Sequence, residues 1–454
     1  MNQKIKVTFY GGAGSVTGSN YLIESDKMKM LVDCGLFQGS RVSEDKNEEP
    51  FSYDPASIDA LFVTHAHLDH VGRIPKLVKD GFKGEIFSTM PTRDFAELML
   101  IDSLGVMRKE ARRNKKEAIY SEADVEKAMK LWETVDYHNR LQVGDFEINF
   151  REAGHILGSA MVEISRGGKK FLFSGDLGNP PNPILRDMEK ISDIDYLSIE
   201  STYGDREHEP STDTKLKLER AIEDTVHKGG VLMIPAFSLE RTQKLLFQID
   251  ELVENGRIPK VPIFLDSPLA IKATAIYKKY SRYYNERAKE VLRSGDSLFQ
   301  FPGLKMTLRT DESKRINDVP APKIIIAGSG MSNGGRIIHH EKRYLSDPKN
   351  TLLIIGYQAS GSLGRRLLEG DKTVKILGET ITVRANIESI QGYSAHPDMN
   401  DLFNFVKGSV DTLKKVFVVQ GEPKSSLFFV QRLRDHLGVD ATAPDAGDSF
   451  NLDL

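Results

Sequence analysis

The sequence predicts an α/β protein built as two domains, one inserted into the other, and three observations carry that reading. A chain of 454 residues exceeds one ordinary domain. The first part reads as short strands that stop at Gly, Asp or His, and strand-rich texture resumes after Gly370. The middle instead alternates apolar β runs with helical segments, the texture of a parallel sheet flanked by helices. The expected boundaries are 1–206 and 371–454 for the two parts of the first domain and 207–370 for the insertion.

Along the first part, β-branched and aromatic runs place strands at Ile5 to Tyr10, Asn20 to Ile23, Met28 to Val32 and Ala60 to Thr64. A helical region follows from about Thr92 to Trp132, and strands return at Phe146 to Phe150, Met161 to Ile164, Phe171 to Ser174 and Tyr196 to Ile199. After Asp205 the apolar runs Val231 to Pro235, Ile263 to Leu265, Ile324 to Ala327 and Leu352 to Ile355 alternate with helical segments. Strand-rich texture resumes at Val374 to Leu377, Ile381 to Arg384 and Val416 to Val419.

Composition narrows the chemistry. The hydrophobic share of 39% is enough for real cores, and one cysteine, Cys34, excludes an intramolecular disulfide framework and a cysteine-rich metal site. Any metal must sit on His, Asp or Glu. The opening MNQKIKVTFYGG has no basic stretch followed by an apolar core, and no apolar run reaches a membrane-spanning length, so a cytoplasmic protein with no membrane partner is expected. A formal charge of −3 argues against a generally basic nucleic-acid-coating protein but allows a local basic groove. The Arg108 to Lys116 cluster is interrupted by Glu110 and reads as a solvated helix face.

The strongest motif is His65-Ala66-His67-Leu68-Asp69-His70, directly after an apolar strand. Three imidazoles and a carboxylate crowded together are costly unless something positive binds them. Strand geometry sends His65 and His67 to one side, and a sharp turn into a helix offers Asp69 and His70 to a neighbouring point, so two adjacent metals follow. His155, in Gly154-His155-Ile156-Leu157-Gly158-Ser159, and Asp176, in Ser174-Gly175-Asp176, stand after other strands and extend the pattern. Gly328-Ser329-Gly330-Met331-Ser332-Asn333-Gly334-Gly335-Arg336 follows a strand and precedes a helix, so its backbone N–H groups could cradle a phosphate; no Walker Lys-Ser/Thr follows it.

In this order Asp33, the His65 to His70 block, His155, Asp176 and His396 resemble the motifs of the metallo-β-lactamase superfamily. Ile199-Glu200-Ser201-Thr202-Tyr203-Gly204-Asp205, Pro235-Ala236-Phe237-Ser238, Asp266-Ser267-Pro268-Leu269-Ala270, Gly330-Met331 and Tyr393-Ser394-Ala395-His396 are similar to its β-CASP branch, from Val7 to about Gly421. The resemblance implies an αββα sandwich with an inserted parallel α/β cap. It implies two Zn²⁺: His65, His67 and His155 on one, Asp69, His70 and His396 on the second, Asp176 bridging both, and Asp33 orienting the ligands. His396, where DNA-cleaving members carry Val, favours RNA.

Three positions depart from the family pattern. Where RNA-cleaving eukaryotic members place a histidine that pairs with the Glu200 equivalent, the run Gly361-Ser362-Leu363-Gly364-Arg365 ends in Arg366, a cation suited to phosphate charge; His339 and His340 are alternative proton donors. The usual Gly-Arg reads Glu240-Arg241, and the usual His-Gly-Glu reads Gln420-Gly421-Glu422. The expected function is a zinc-dependent ribonuclease, endo- or 5′-exonucleolytic, that hydrolyses single-stranded RNA by a metal-bridging hydroxide. Asp69, Asp176, Glu200, His396 and Arg366 are its expected catalytic residues. Ser329, Gly330, Met331, Ser332, Ser394 and Arg336 are its expected phosphate or RNA contacts, and a homodimer is plausible by analogy. A DNA nuclease, another metallo-hydrolase and an RNA-processing scaffold are the alternatives, though a scaffold would not need the full ligand set.

Overall fold

A computed structural model of the chain describes residues 4–39, 41–208, 211–359 and 361–454, and these form two compact units. The first comprises Met1–Asn182, Arg186–Glu207 and His396–Leu454; the second comprises Pro183–Leu185 and His208–Ala395.

The first unit contains two seven-stranded sheets. One runs, in spatial order, Ser449–Asp453, Lys4–Gly11, Asn20–Glu24, Lys29–Val32, Ala60–Phe62, Glu85–Ser88 and Trp132–Thr134. The other runs Ala441–Thr442, Lys415–Val419, Tyr196–Glu200, Lys169–Phe173, Ala160–Arg166, Phe146–Glu152 and Leu141–Val143. Alternating residues of both sheets face each other: Val7, Phe9, Val32 and Phe62 share one buried cluster with Phe150, Val162, Phe171 and Phe417. The opposite face of the second sheet, through Leu172, Leu197, Ile199 and Val418, is covered by Leu402 and Phe405 of helix Met399–Lys407 and by Phe429 and Leu433 of helix Pro423–Leu437. Helices Leu68–Val71, Ile74–Lys79, Met90–Asn114 and Glu122–Lys130 follow the strands of the first sheet, which completes the αββα arrangement.

The second unit is built on a six-stranded, wholly parallel sheet in the order Leu304–Met306, Ile263–Asp266, Lys323–Ala327, Val231–Pro235, Thr351–Ile354 and Asn386–Ser389. Buried on both faces, its strands read as continuous apolar runs rather than alternating ones. The second compact unit continues to Ala395, beyond residue 370 where the strand-rich texture resumes. The reason is pairing. Asn386–Ser389 joins Thr351–Ile354 in parallel register, and the hairpin Thr373–Ile376/Glu379–Thr382 packs Val374 and Ile376 into the second unit's core beside Leu367. Among the described residues no helix is long and apolar enough to cross a membrane.

Candidate metal centre

Strand direction brings the functional loops to one edge of the first unit. Lys29–Val32 and Ala60–Phe62 are parallel and end just before Asp33 and His65. Lys169–Phe173, Tyr196–Glu200 and Lys415–Val419 are mutually parallel, and deliver Asp176, Glu200 and Gln420 from their C-terminal ends. Phe146–Glu152, antiparallel to Ala160–Arg166, runs the same way and leads to His155.

Four donor atoms converge there. His65 Nε2 and His155 Nε2 lie 3.1 and 3.2 Å from His67 Nδ1, and 3.4 and 3.6 Å from Asp176 Oδ2. A tetrahedral zinc with bonds of about 2.0 to 2.1 Å has edges of about 3.3 to 3.4 Å between its ligands, so this set fits a divalent cation. The remaining ring nitrogens are committed outward. His155 Nδ1 is 3.2 Å from the Leu177 carbonyl and His65 Nδ1 is 3.1 Å from Thr64 Oγ1, contacts that fix the tautomer and leave each Nε2 lone pair facing the centre. Burial first, then neighbouring histidines, holds the His67 and His155 imidazoles well below the ordinary histidine range, as neutral ligands require.

A second set of donors borders the first. His70 Nε2 is 3.2 Å from Asp176 Oδ1 and 4.0 Å from Asp69 Oδ2. His70 Nδ1 donates to Asp33 Oδ2 at 2.7 Å, and Asp33 also accepts from Thr64 N, Thr64 Oγ1 and Ser19 Oγ. Asp33 is wholly buried with φ of 60°, a backbone conformation an L-residue holds only when its surroundings enforce it. Burial opposes charge on His70, but Asp176 and Asp33 outweigh it and raise its pKa well above the ordinary value. Burial likewise works against the Asp176 carboxylate, and His70 with His65 outweighs it and lowers its pKa. Asp69 is raised, chiefly by burial. Its carbonyl lies so close to Gly35 that a Cβ there would stand 1.6 Å from it, so only glycine permits this turn.

His396 falls in a further group of possible ligands, with Asp176 and Glu200. Its Nδ1 is 3.0 Å from both oxygens of the buried Glu200, and its ring lies 4.7 Å from that of His155. Glu200 Oε1 also accepts from Leu177 N at 2.7 Å, so one carboxylate ties the Asp176 loop to His396. The polar group between His70 and Asp176 is instead Gln420, whose Nε2 lies 2.9 Å from His70 Nε2 and 2.8 Å from Asp176 Oδ1. Sequence reasoning marks Gln420 only as a departure from the family pattern; its place straight after a strand matching the other ligand strands is the signal that ties it to the metal edge.

The expected phosphate contacts lie in the second unit and are mostly engaged within it. Arg336 Nη1 donates to Asp266 Oδ1 at 2.7 Å and to the Thr307 carbonyl at 2.8 Å, and Nη2 donates to the Leu308 carbonyl at 2.8 Å, so this guanidinium braces the loop rather than offering itself outward. Ser332 is buried with φ of 58° and donates to Glu341. Ser329 Oγ and N both donate to the Gly334 carbonyl, the Met331 carbonyl accepts from Gly364 N, and Gly330 packs its Cα on Phe237, where a Cβ would clash. Ser394 is buried, its N donating to Gln391 O. Arg366 pairs with Asp371 through Nε and Nη2, each at 2.8 Å, so the charge expected to meet a phosphate is shared with a carboxylate. His340 Nε2 is 2.8 Å from Asp266 Oδ2, which commits one of the alternative proton donors to the same brace.

Comparison with known proteins agrees with this geometry. Residues 13–226 match the metallo-beta-lactamase superfamily model, residues 242–367 the Beta-Casp domain and residues 380–444 the Zn-dependent metallo-hydrolase RNA specificity domain. The chain is 37% identical to "Ribonuclease TTHA0252" of Thermus thermophilus over 93% of its length and 94% of the relative's. It is 34% identical to an "RNase J-like protein" of Methanocaldococcus jannaschii, over 98% and 99% of the two chains. It is also 32% identical to "Transcription termination factor FttA" of Methanosarcina mazei, over 97% of this chain and 71% of that one. A crystal structure of a protein of unknown function from Enterococcus faecalis V583 shares the fold, with a TM-score of 0.55 and 12% identity, covering 99% of this chain and 100% of that one. With these matches over most of its length, and a convergent set of divalent-cation ligands at the strand ends, the chain belongs to the metallo-β-lactamase superfamily, in its β-CASP branch.

Proposed function

We propose that the chain is a ribonuclease that hydrolyses phosphodiester bonds of single-stranded, cytoplasmic RNA at a centre for two divalent cations, with zinc in the first seat. The observation that carries this reading is the four-donor set on His65, His67, His155 and Asp176 beside the His396–Glu200 pair; the ribonuclease relatives support RNA as the substrate. When bound, the cations would supply an activated water and neutralise charge on the phosphate oxygens.

The chain's own residues do the rest. His65, His67, His155 and Asp176 would hold the first cation, and Asp69, His70 and Asp176 would hold the second. Asp33 fixes His70 in the tautomer that turns its Nε2 lone pair inward. Glu200 orients His396, whose Nδ1 is engaged, so Nε2 is the atom that gives a proton to the leaving oxygen.

The test is cleavage of end-labelled RNA, matching DNA and a thioester by metal-loaded protein, with Asp176→Ala as control. Labelled mononucleotide indicates 5′-exonuclease action and internal fragments indicate endonuclease action; hydrolysis of the thioester or of DNA alone would overturn the RNA reading. Pairing of two copies, which the family resemblance implies, is read by sedimentation in the same buffers.

A further inference from the structure

Gln420 stands at the place His70 and Asp176 would share with the second cation, so its role is tied to the metal-centre reading. Its Nε2 is within 2.9 Å of His70 Nε2 and 2.8 Å of Asp176 Oδ1. When His70 is neutral, as a metal ligand must be, both atoms turn a lone pair to this place, since the other nitrogen of His70 donates to Asp33. An amide N–H pair that satisfies these two atoms and a cation that binds them compete for one place. Nor can Gln420 drift aside. It is 2% exposed, its backbone N donates to the Gly12 carbonyl at 2.6 Å, and its φ of 50° is a strained value the surrounding loop must hold.

We propose that the two seats are unequal by construction: the first binds zinc tightly, while the second is closed by the Gln420 amide until an oxygen-preferring divalent cation such as Mn²⁺ displaces it. Turning the carboxamide end over end exchanges Nε2 for Oε1, so the group that blocks the seat becomes its ligand. A neutral amide oxygen is a harder and weaker donor than an imidazole. Zinc therefore gains less from it, and the preference shifts toward cations that take oxygen ligands.

Metal counting tests this directly. Protein stripped with chelator, reloaded with excess zinc and desalted should retain one zinc per chain by elemental analysis. Gln420→His should retain two, its second site at least about tenfold tighter. Titration of zinc-loaded protein with Mn²⁺, read from the EPR signal of the free ion, should show one weak saturable site in the wild type and none in Q420H. Two zinc ions kept by the wild type, or Mn²⁺ uptake that Q420H leaves unchanged, overturns the proposal while the metal-centre reading stands. If circular dichroism shows Q420H misfolded, Gln420→Glu, nearly the same size, should retain two ions, and a single ion there overturns the proposal equally. Zinc retained by no variant would remove the metal-centre reading itself.

Discussion

The pairing of His396 with Glu200 sets two roles for a single residue against each other. A ligand of the second cation and a proton donor predict different losses. With its Nδ1 on Glu200 at 3.0 Å, His396→Ala should leave metal content unchanged and lower RNA cleavage by about 10²- to 10⁴-fold, the usual contribution of a positioned acid. Glu200→Gln should give a smaller loss in the same direction, because the amide still meets His396 but no longer stabilises its protonated form. Loss of one metal ion per chain in His396→Ala would return His396 to the ligand set. The His65 to His70 block was legible in the sequence because local spacing alone crowds its donors. The partner of Glu200 was not, because Glu200 and His396 are joined only by the fold, and a motif names residue types without saying which face each other.

Among the loops and hairpins of the second unit, the glycine loop at residues 328–336 reads as a phosphate cradle from sequence and as a braced turn in the structure. Asp266 is the hub of that brace. Burial raises its pKa, but hydrogen bonds from His340, Thr307, Ser313 and Arg336 outweigh it and hold the carboxyl at about 2. Arg336→Ala should therefore destabilise the second unit by about 2 to 4 kcal/mol, as a buried carboxylate losing a charged partner does. Weaker RNA binding with unchanged melting would restore the phosphate role.

Beneath the same loop, burial pushes Glu341 up to about 7, against the pull of its Ser332 hydrogen bond. A carboxyl near 4.5 in the unfolded chain and near 7 in the fold favours folding below pH 4.5, and that advantage is lost as pH rises through 7. Glu341→Gln, which still accepts from Ser332, should thus melt progressively higher than the wild type between about pH 5 and 8; a constant difference would contradict a titrating Glu341. The reach of the second compact unit beyond residue 370 is hidden from the sequence for a related reason. Val374 and Ile381 carry the alternation of a half-buried hairpin, and nothing in that alternation tells which core the hairpin will cover.

Across the chain as a whole, all the proposed cation ligands lie in the first unit, on loops from both of its sheets, while the second unit has a separate core of its own. A ligand that binds only the folded form stabilises what it binds. At a free concentration of about a hundred times the dissociation constant, the gain is about 2.7 kcal/mol. Without cations, the inward-facing ring nitrogens of His65, His67 and His155, 3.1 to 3.2 Å apart, lack the positive charge that would hold them together. Calorimetry of chelator-treated protein should therefore show two transitions, with added zinc raising one and leaving the other in place. Arg336→Ala should lower the transition that zinc does not move, which assigns each transition to its unit. A single transition that shifts as a block under zinc would mean that the two units unfold cooperatively, so that the metal stabilises the cap domain as well as the sandwich that holds it.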